Sequence, residues 1–244
     1  MSSTLFTGHV TLEQAAERQM KIWAQGQTIQ ERFARLQNVE AAERTVQPYV
    51  AISRECGASG SLIAAGLARA LGWENLDREL LERVAEKYNL SRDRIEFADE
   101  RAYNLLHEFL GKWVDGKLVC QTEFVNRVGK VIVMAALDKS AIFVGRGAQF
   151  FLPHDKGVSV RVVAPHRQRV KRIMELKQLD HAHAVRHVDD VDRGRRDFVK
   201  HSFSHDIGDP CLYDLIINTG RTSTDEAVAM IADLAHRRFG VAVH

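Results

Sequence analysis

The segment Tyr49-Val-Ala-Ile-Ser-Arg-Glu-Cys-Gly-Ala-Ser-Gly-Ser-Leu-Ile-Ala64 constrains the fold more than any other stretch of the chain. A short apolar run, a loop of small residues and a helix start follow one another without a break. α/β proteins build anion sites in this order, because backbone N–H groups converge at the helix N-terminus. Gly57 and Gly60 allow close backbone approach, which makes Gly57, Ala58, Ser59, Gly60 and Ser61 the candidate phosphate-binding residues. The usual phosphate-loop pattern ends Gly-Lys-Ser/Thr, the lysine neutralising the terminal phosphates and the hydroxyl holding magnesium. Here Gly60 is followed by Ser61 and Leu62. The cradle is present without its lysine. An ordinary strand-to-helix turn is the alternative reading, since such turns often carry glycine. A dinucleotide loop fits less well, because Gly57 and Gly60 do not complete G-x-G-x-x-G.

Around this loop the chain alternates short β-branched runs with helical periodicity. Strands are predicted at 50–53, 74–76, 141–144, 158–163 and 215–218, those at 141–144 and 158–163 being short, apolar and β-branched in the manner of buried parallel strands. The helix after the loop is read with Leu62, Ile63, Leu67 and Leu71 on one side and a stop at Gly72. Residues 78–139 read as mostly helical, with Ser91 as an N-cap and a turn or small hairpin at 111–117. A charged helical stretch occupies 166–209, and a closing helix at 222–238 is capped by Ser223 or Thr224. Residues 11–37 place Leu12, Ala15, Ala16, Met20, Trp23 and Ala24 at helical spacing. The expected fold is α/β, a doubly wound parallel five-stranded sheet with a helical N-terminal arm, divided into an arm at 1–47 and one domain at 48–244.

Composition narrows the function classes. A net charge of +2 and a pI near 8.5 are too mild for a nucleic-acid footprint, so no nucleic-acid partner is expected. Cys56, Cys120 and Cys211 lack paired spacing, which argues against zinc and disulfides and for a reducing cytoplasm. The N-terminus lacks a basic and then apolar leader, and the apolar run at 131–137 is too short to span a bilayer, so a soluble cytoplasmic protein with no membrane partner is expected. His183 and His187 have the i, i+4 spacing of metal ligands, but no cysteine or H-E-x-x-H pattern accompanies them, and no metal site is assigned.

Several segments together carry a family resemblance. They are Ile52 to Gly60, Asn75-Leu-Asp-Arg-Glu-Leu80, Phe143-Val-Gly-Arg-Gly147, Val160-Arg-Val-Val-Ala-Pro165, Asp192-Arg193 and Tyr213-Asp-Leu-Ile-Ile-Asn-Thr219. In order and spacing the chain resembles the cytidylate kinase-like family, relatives of the phosphate-loop nucleoside monophosphate kinases, from about Pro48 to about Phe239. The resemblance implies ATP as substrate with Mg2+, and transfer of the terminal phosphate to a nucleoside monophosphate such as CMP. It places acceptor-binding helices at about 78–139 and a lid at about 166–209, and it aligns the missing lysine with Gly60 and the hydroxyl with Leu62.

Phosphoryl transfer needs positioned cations. Arg54 within the loop, Arg146 between Gly145 and Gly147, and Arg193 are the candidate catalytic cations, with Arg169 and Arg172 as phosphate-binding lid arginines carried over from the resemblance. Arg54 has a structural alternative, an ion pair with Glu55 or Asp77, and the arginines of 166–196 could equally form a solvated charged face. Asp77 is the candidate acceptor-binding carboxylate, or else a helix N-cap. Two other function classes stay open: a nucleotide-binding regulatory or scaffold protein without turnover, favoured by the absent lysine, and a kinase for a different small molecule. The apolar stripe of the arm would serve internal packing or a homodimer.

Overall fold

The strands in the computed structural model are β1 (Tyr49–Arg54), β2 (Glu74–Asp77), β3 (Ala141–Val144), β4 (Gly157–Val163) and β5 (Leu215–Asn218); β1, β3, β4 and β5 are rich in β-branched or aromatic residues, whereas β2 is polar apart from the buried Leu76. All pairings are parallel, and the strand order is β2-β3-β1-β4-β5. The helices are α1 (Gly60–Leu71), α2 (Glu123–Asp138), α3 (His166–Lys177), α4 (His181–Phe203) and α5 (Thr224–Phe239). The structure describes residues 45–77, 80 and 123–242, together with Glu17, Met20, Ala24 and Gln27, which are helical. The rest of the expected arm, the Ser91 cap and the 111–117 turn lie outside the described residues.

Both faces of the central strands are buried, as a parallel sheet requires, while Ile216 on the edge strand β5 is 49% exposed. Val50, Ile52, Ile142, Val144, Val158 and Val160 join Ile63 and Leu67 of α1 and Ile231 of α5 on one side. On the other, Tyr49, Ala51 and Phe143 pack with Val128, Ile132 and Ala136 of α2 and with Phe203 of α4. Successive residues of β1 thus alternate between two cores, the period of a strand. A third apolar cluster of Cys56, Val170, Ile173, Ala184 and Val188 seals α3 and α4 against the loop after β1.

The five strands fall where the sequence predicts them, each within a residue of the expected ends. The single helical stretch read at 166–209 resolves into two helices. Gln178 adopts a left-handed conformation that ends α3, and Asp180 caps α4 by accepting the His183 N–H. Ser223, not Thr224, caps α5 in a reciprocal box with Glu226. Leu62 is also corrected: it is 65% exposed, while Ile63, Ala64, Leu67 and Leu71 are the buried stripe. At about 100° per residue, a position adjacent to Ile63 is turned away from that stripe.

Candidate functional site

β1 lies between β3 and β4, where the chain's crossovers change side, so the loop leaving its carboxyl end opens into the crevice where open α/β sheets bind ligands. Ser53 and Arg54 end the strand, Gly57 (φ 77°) and Ser59 (φ 62°) adopt left-handed conformations, and α1 begins at Gly60. Alternating handedness of this kind curls successive N–H groups toward one point, making a concave anion cradle.

Long-range side chains hold the loop from behind. Arg195 Nη1 donates to the Arg54 carbonyl at 2.7 Å, Arg169 Nη1 to the Cys56 carbonyl at 3.1 Å, Arg172 Nη1 to the Gly57 carbonyl at 3.2 Å and Thr219 Oγ1 to the Ala58 carbonyl at 3.1 Å. Since a trans peptide directs its C=O and N–H to opposite sides, anchoring these carbonyls turns the N–H groups of Gly57 and Ser59 away from the clamp. Those of Gly60 and Ser61, in the first turn of α1, have no intrahelical acceptor. Four amides and the positive end of a helix therefore share one concavity.

The clamp is itself ionic. Asp192 on α4 accepts the Cys56 N–H at 2.7 Å through Oδ1 and Arg169 Nη1 at 2.6 Å through Oδ2. Glu55 accepts the Ala164 N–H at 3.1 Å and pairs with Arg169 Nε at 3.2 Å. The Arg169 side chain is only 9% exposed, so its charge is compensated by two carboxylates and by the Ala164 and Cys56 carbonyls. Room is tight as well. A Cβ on Gly57 would lie 2.6 Å from the Arg169 carbonyl oxygen, so only glycine fits between the loop and α3.

The Arg54 side chain crosses the mouth of the cradle. Its stem lies against Gly60, and its guanidinium against Gly145 at the end of β3, where a Cβ would overlap Nη1. Gly145 N–H donates to the Ile52 carbonyl at 3.0 Å, which ties this glycine turn to β1. Next to it Arg146, itself at φ 57°, holds its guanidinium 5.0 Å from the centre of the Phe198 ring and 5.6 Å from that of Phe124. Below the mouth, Arg161 Nη1 donates to Ser53 Oγ at 2.7 Å and lies 6.0 Å from the Tyr213 ring centre.

Of the residues named from sequence, Arg54, Arg146 and the 57–61 amides gather at the carboxyl end of β1 and β3. Arg169 and Arg172 are also here, with guanidinium groups directed at loop carbonyls and Thr219. Arg193 sits apart. Its side chain is 65% exposed and pairs with Asp190 at 3.5 Å, one residue from Asp192 but on a different face of α4. Asp77 Oδ1 accepts the Leu80 N–H at 3.0 Å, the N-cap geometry, and Glu55 is committed to Arg169.

Sequence reading missed Asp192, Arg195 and Thr219 as loop anchors. The usable signal was the i, i+3 spacing of Asp192 and Arg195, which puts a carboxylate and a guanidinium on one helix face. Burial pushes the Cys56 thiol pKa up, with opposing effects from nearby Arg195, Arg169 and Lys177, so it is a packed, protonated residue. His183 is held by Asp180 at 2.7 Å, and among the described residues no cluster of His, Cys, Asp and Glu is arranged to hold a metal. Nor is any described helix long and apolar enough to cross a membrane.

Comparison with known proteins follows the same outline. The sequence pattern of the cytidylate kinase-like family matches residues 49–221, a span that runs from β1 past Thr219. No curated protein matches the chain. Among solved structures, an uncharacterized protein from Eubacterium ventriosum aligns with a TM-score of 0.61 at 25% identity, over 78% of this chain and 99% of that one. TT1252 from Thermus thermophilus gives a TM-score of 0.46 at 18% identity, over 79% and 98%. Shikimate kinase from Acinetobacter baumannii, solved in complex with shikimate, gives 0.39 at 15% identity, over 79% and 95%.

Proposed function

Because the chain belongs to the cytidylate kinase-like family, we propose that its loop holds the phosphates of a nucleoside triphosphate, ATP in the first instance, and passes the terminal phosphoryl group to a nucleoside monophosphate such as CMP. The observation that carries this reading is the clamp on the Arg54, Cys56, Gly57 and Ala58 carbonyls, which leaves the N–H side of the loop to an anion. Magnesium arrives with the triphosphate as part of the substrate. Ser59 and Ser61 are the hydroxyls nearest the cradle in sequence, and Mg2+ commonly takes most of its oxygens from phosphates and water.

Transfer breaks the bond from the γ-phosphorus to the β,γ-bridging oxygen, so that ADP leaves, and forms one to an acceptor phosphate oxygen. Little covalent chemistry is asked of the protein; its work is alignment and neutralisation. Arg54 and Arg146 stand where β1 and β3 end and supply positive charge beside the cradle. A preorganised cation at developing phosphoryl charge is worth on the order of 3 kcal/mol, about a hundredfold in rate. Arg193, on the outer face of α4, contributes only if α4 moves toward the nucleotide. Asp77, whose Oδ1 accepts the Leu80 N–H at 3.0 Å, is the acceptor-binding carboxylate of this reading.

A coupled ADP-release assay across several monophosphates tests the reading. Turnover is expected, with Arg54→Ala lowering kcat about a hundredfold against about tenfold in nucleotide affinity, the pattern of a contact that strengthens in the transition state. The second reading, a nucleotide-binding protein without turnover, is favoured by glycine at position 60 in place of the phosphate-loop lysine. Nucleotide binding without turnover for any acceptor would select it.

A further inference from the structure

Gly60 does not need to be glycine for its backbone. Its φ is not among the positive values found at Gly57, Gly145 and Gly147, and it begins an ordinary helix. Alanine at such a position normally stabilises relative to glycine. What excludes a side chain is Arg54: a Cβ at position 60 would lie 2.7 Å from Arg54 Cβ and 2.9 Å from Arg54 Cγ. Those atoms are the root of the arginine and cannot swing aside as a side-chain tip can. Beyond them the chain reaches Gly145, again a residue without a Cβ, with Cζ 3.3 Å from where one would stand. Arg54 thus lies in a trench floored by glycine at both ends.

We propose that Arg54 and Gly60 are a reciprocal pair: the cation that other phosphate loops carry on the first residues of the helix is delivered here from the end of β1, and glycine at 60 is the space this requires. The inference rests on the reading of the loop as a phosphate cradle. It explains why lysine is absent without taking the absence as loss of function. Its consequence is a displaced charge, over the end of β3 beside Arg146 and not at the helix start. The guanidinium is also a planar donor that can engage two phosphate oxygens, which an ammonium group at position 60 would not do in the same way.

A double-mutant cycle separates the steric claim from the functional one. Gly60→Ala is made in the native protein and in an Arg54→Gly background, and unfolding midpoints in urea are measured without ligand. The exchange is expected to lower the midpoint when Arg54 is present and to raise it when Arg54 is glycine, a reversal of sign that general helix propensity does not produce. Midpoint shifts of the same sign in both backgrounds would overturn the pairing. In parallel, calorimetry with ATP and magnesium compares the native protein, Arg54→Gly and Arg54→Gly/Gly60→Lys. Arg54→Gly should weaken binding about tenfold or more, the weight of one charge-assisted contact, and lysine at position 60 should recover most of it. Unchanged affinity in Arg54→Gly, or no recovery in the double variant, overturns the relocated cation while leaving the phosphate cradle standing. Failure of the native protein to bind ATP overturns the cradle and the relocation together.

Discussion

Asp192→Ala is the perturbation that the clamp makes most costly. The carboxylate is buried to 12% exposure and serves three partners at once, the Cys56 N–H at 2.7 Å, Arg169 Nη1 at 2.6 Å and, more loosely, Arg195 Nη1 at 3.8 Å. Truncation leaves the guanidinium of Arg169 buried with Glu55 as its remaining carboxylate, and it orphans a loop amide. Removing one member of a buried ion pair typically costs about 3–5 kcal/mol, because the surviving charge keeps its desolvation penalty without its compensation. Glu55 at 3.2 Å softens that loss, so the lower end, about 3 kcal/mol, applies. With a urea slope of about 2 kcal/mol per molar, the midpoint should fall by roughly 1.5 M. Asp192→Asn, which retains an acceptor for Cys56 N–H without the charge, should fall less. Arg169→Met in the Asp192→Ala background should recover part of the loss by removing the stranded charge, although the Ala164 and Cys56 carbonyls then lose a donor. Equilibrium urea unfolding followed by far-ultraviolet circular dichroism measures all three. A loss under about 1 kcal/mol, the size of an exposed pair, would refute the claim that this network braces the loop.

Other outcomes follow from single contacts. Ser223→Ala should cost about 1 kcal/mol in the stability of α5, and the Glu226 carboxyl, held below its usual range by the Ser223 backbone and side chain, should titrate higher. Because the folded pKa is the depressed one, the box stabilises fully above the ordinary value of 4.5 and is lost as pH falls through the lower folded value; side-chain NMR titration and acid unfolding of the two proteins check both signs. The buried Cys56 thiol, its pKa raised by burial, should resist a maleimide in the folded protein while exposed Cys211 reacts at once, as site-resolved mass spectrometry would record. Gly57→Ala should destabilise more than an ordinary loop exchange, since both its left-handed φ of 77° and the Arg169 carbonyl oppose a Cβ; thermal unfolding measures the loss.

The sheet was legible because its signals are local. β3 is a run of four apolar residues and β5 one of three ending at Asn218, and the alternation of strand with helix admits few arrangements other than a parallel sheet. The break between α3 and α4 was not, because Gln178 takes the left-handed turn without the glycine that usually announces it. Loop glycines and the cations of 54 and 146 were visible as a motif. Their support was not visible: Asp192 meets Cys56 across 136 positions and Thr219 meets Ala58 across 161, and nothing local to either residue encodes the partner. The arginines of 169–196 illustrate the same limit. As sequence they form one charged run, yet folding buries Arg169 in a network and leaves Arg193 in solvent. Helical phase separates Arg193 from Arg195 by about 200°, enough to send one outward and the other to the Arg54 carbonyl.

Calorimetric titration of ATP with magnesium into the folded full-length protein, paired with thermal unfolding in the same solutions, tests the phosphate cradle most directly. Saturable binding is predicted, with a rise in unfolding temperature, because a ligand bound only by the native state stabilises it by about 2.7 kcal/mol at a hundred times its dissociation constant. Arg146→Ala should shrink both effects. Absence of heat and of any thermal shift at millimolar nucleotide, in a sample shown to be folded, would contradict the account.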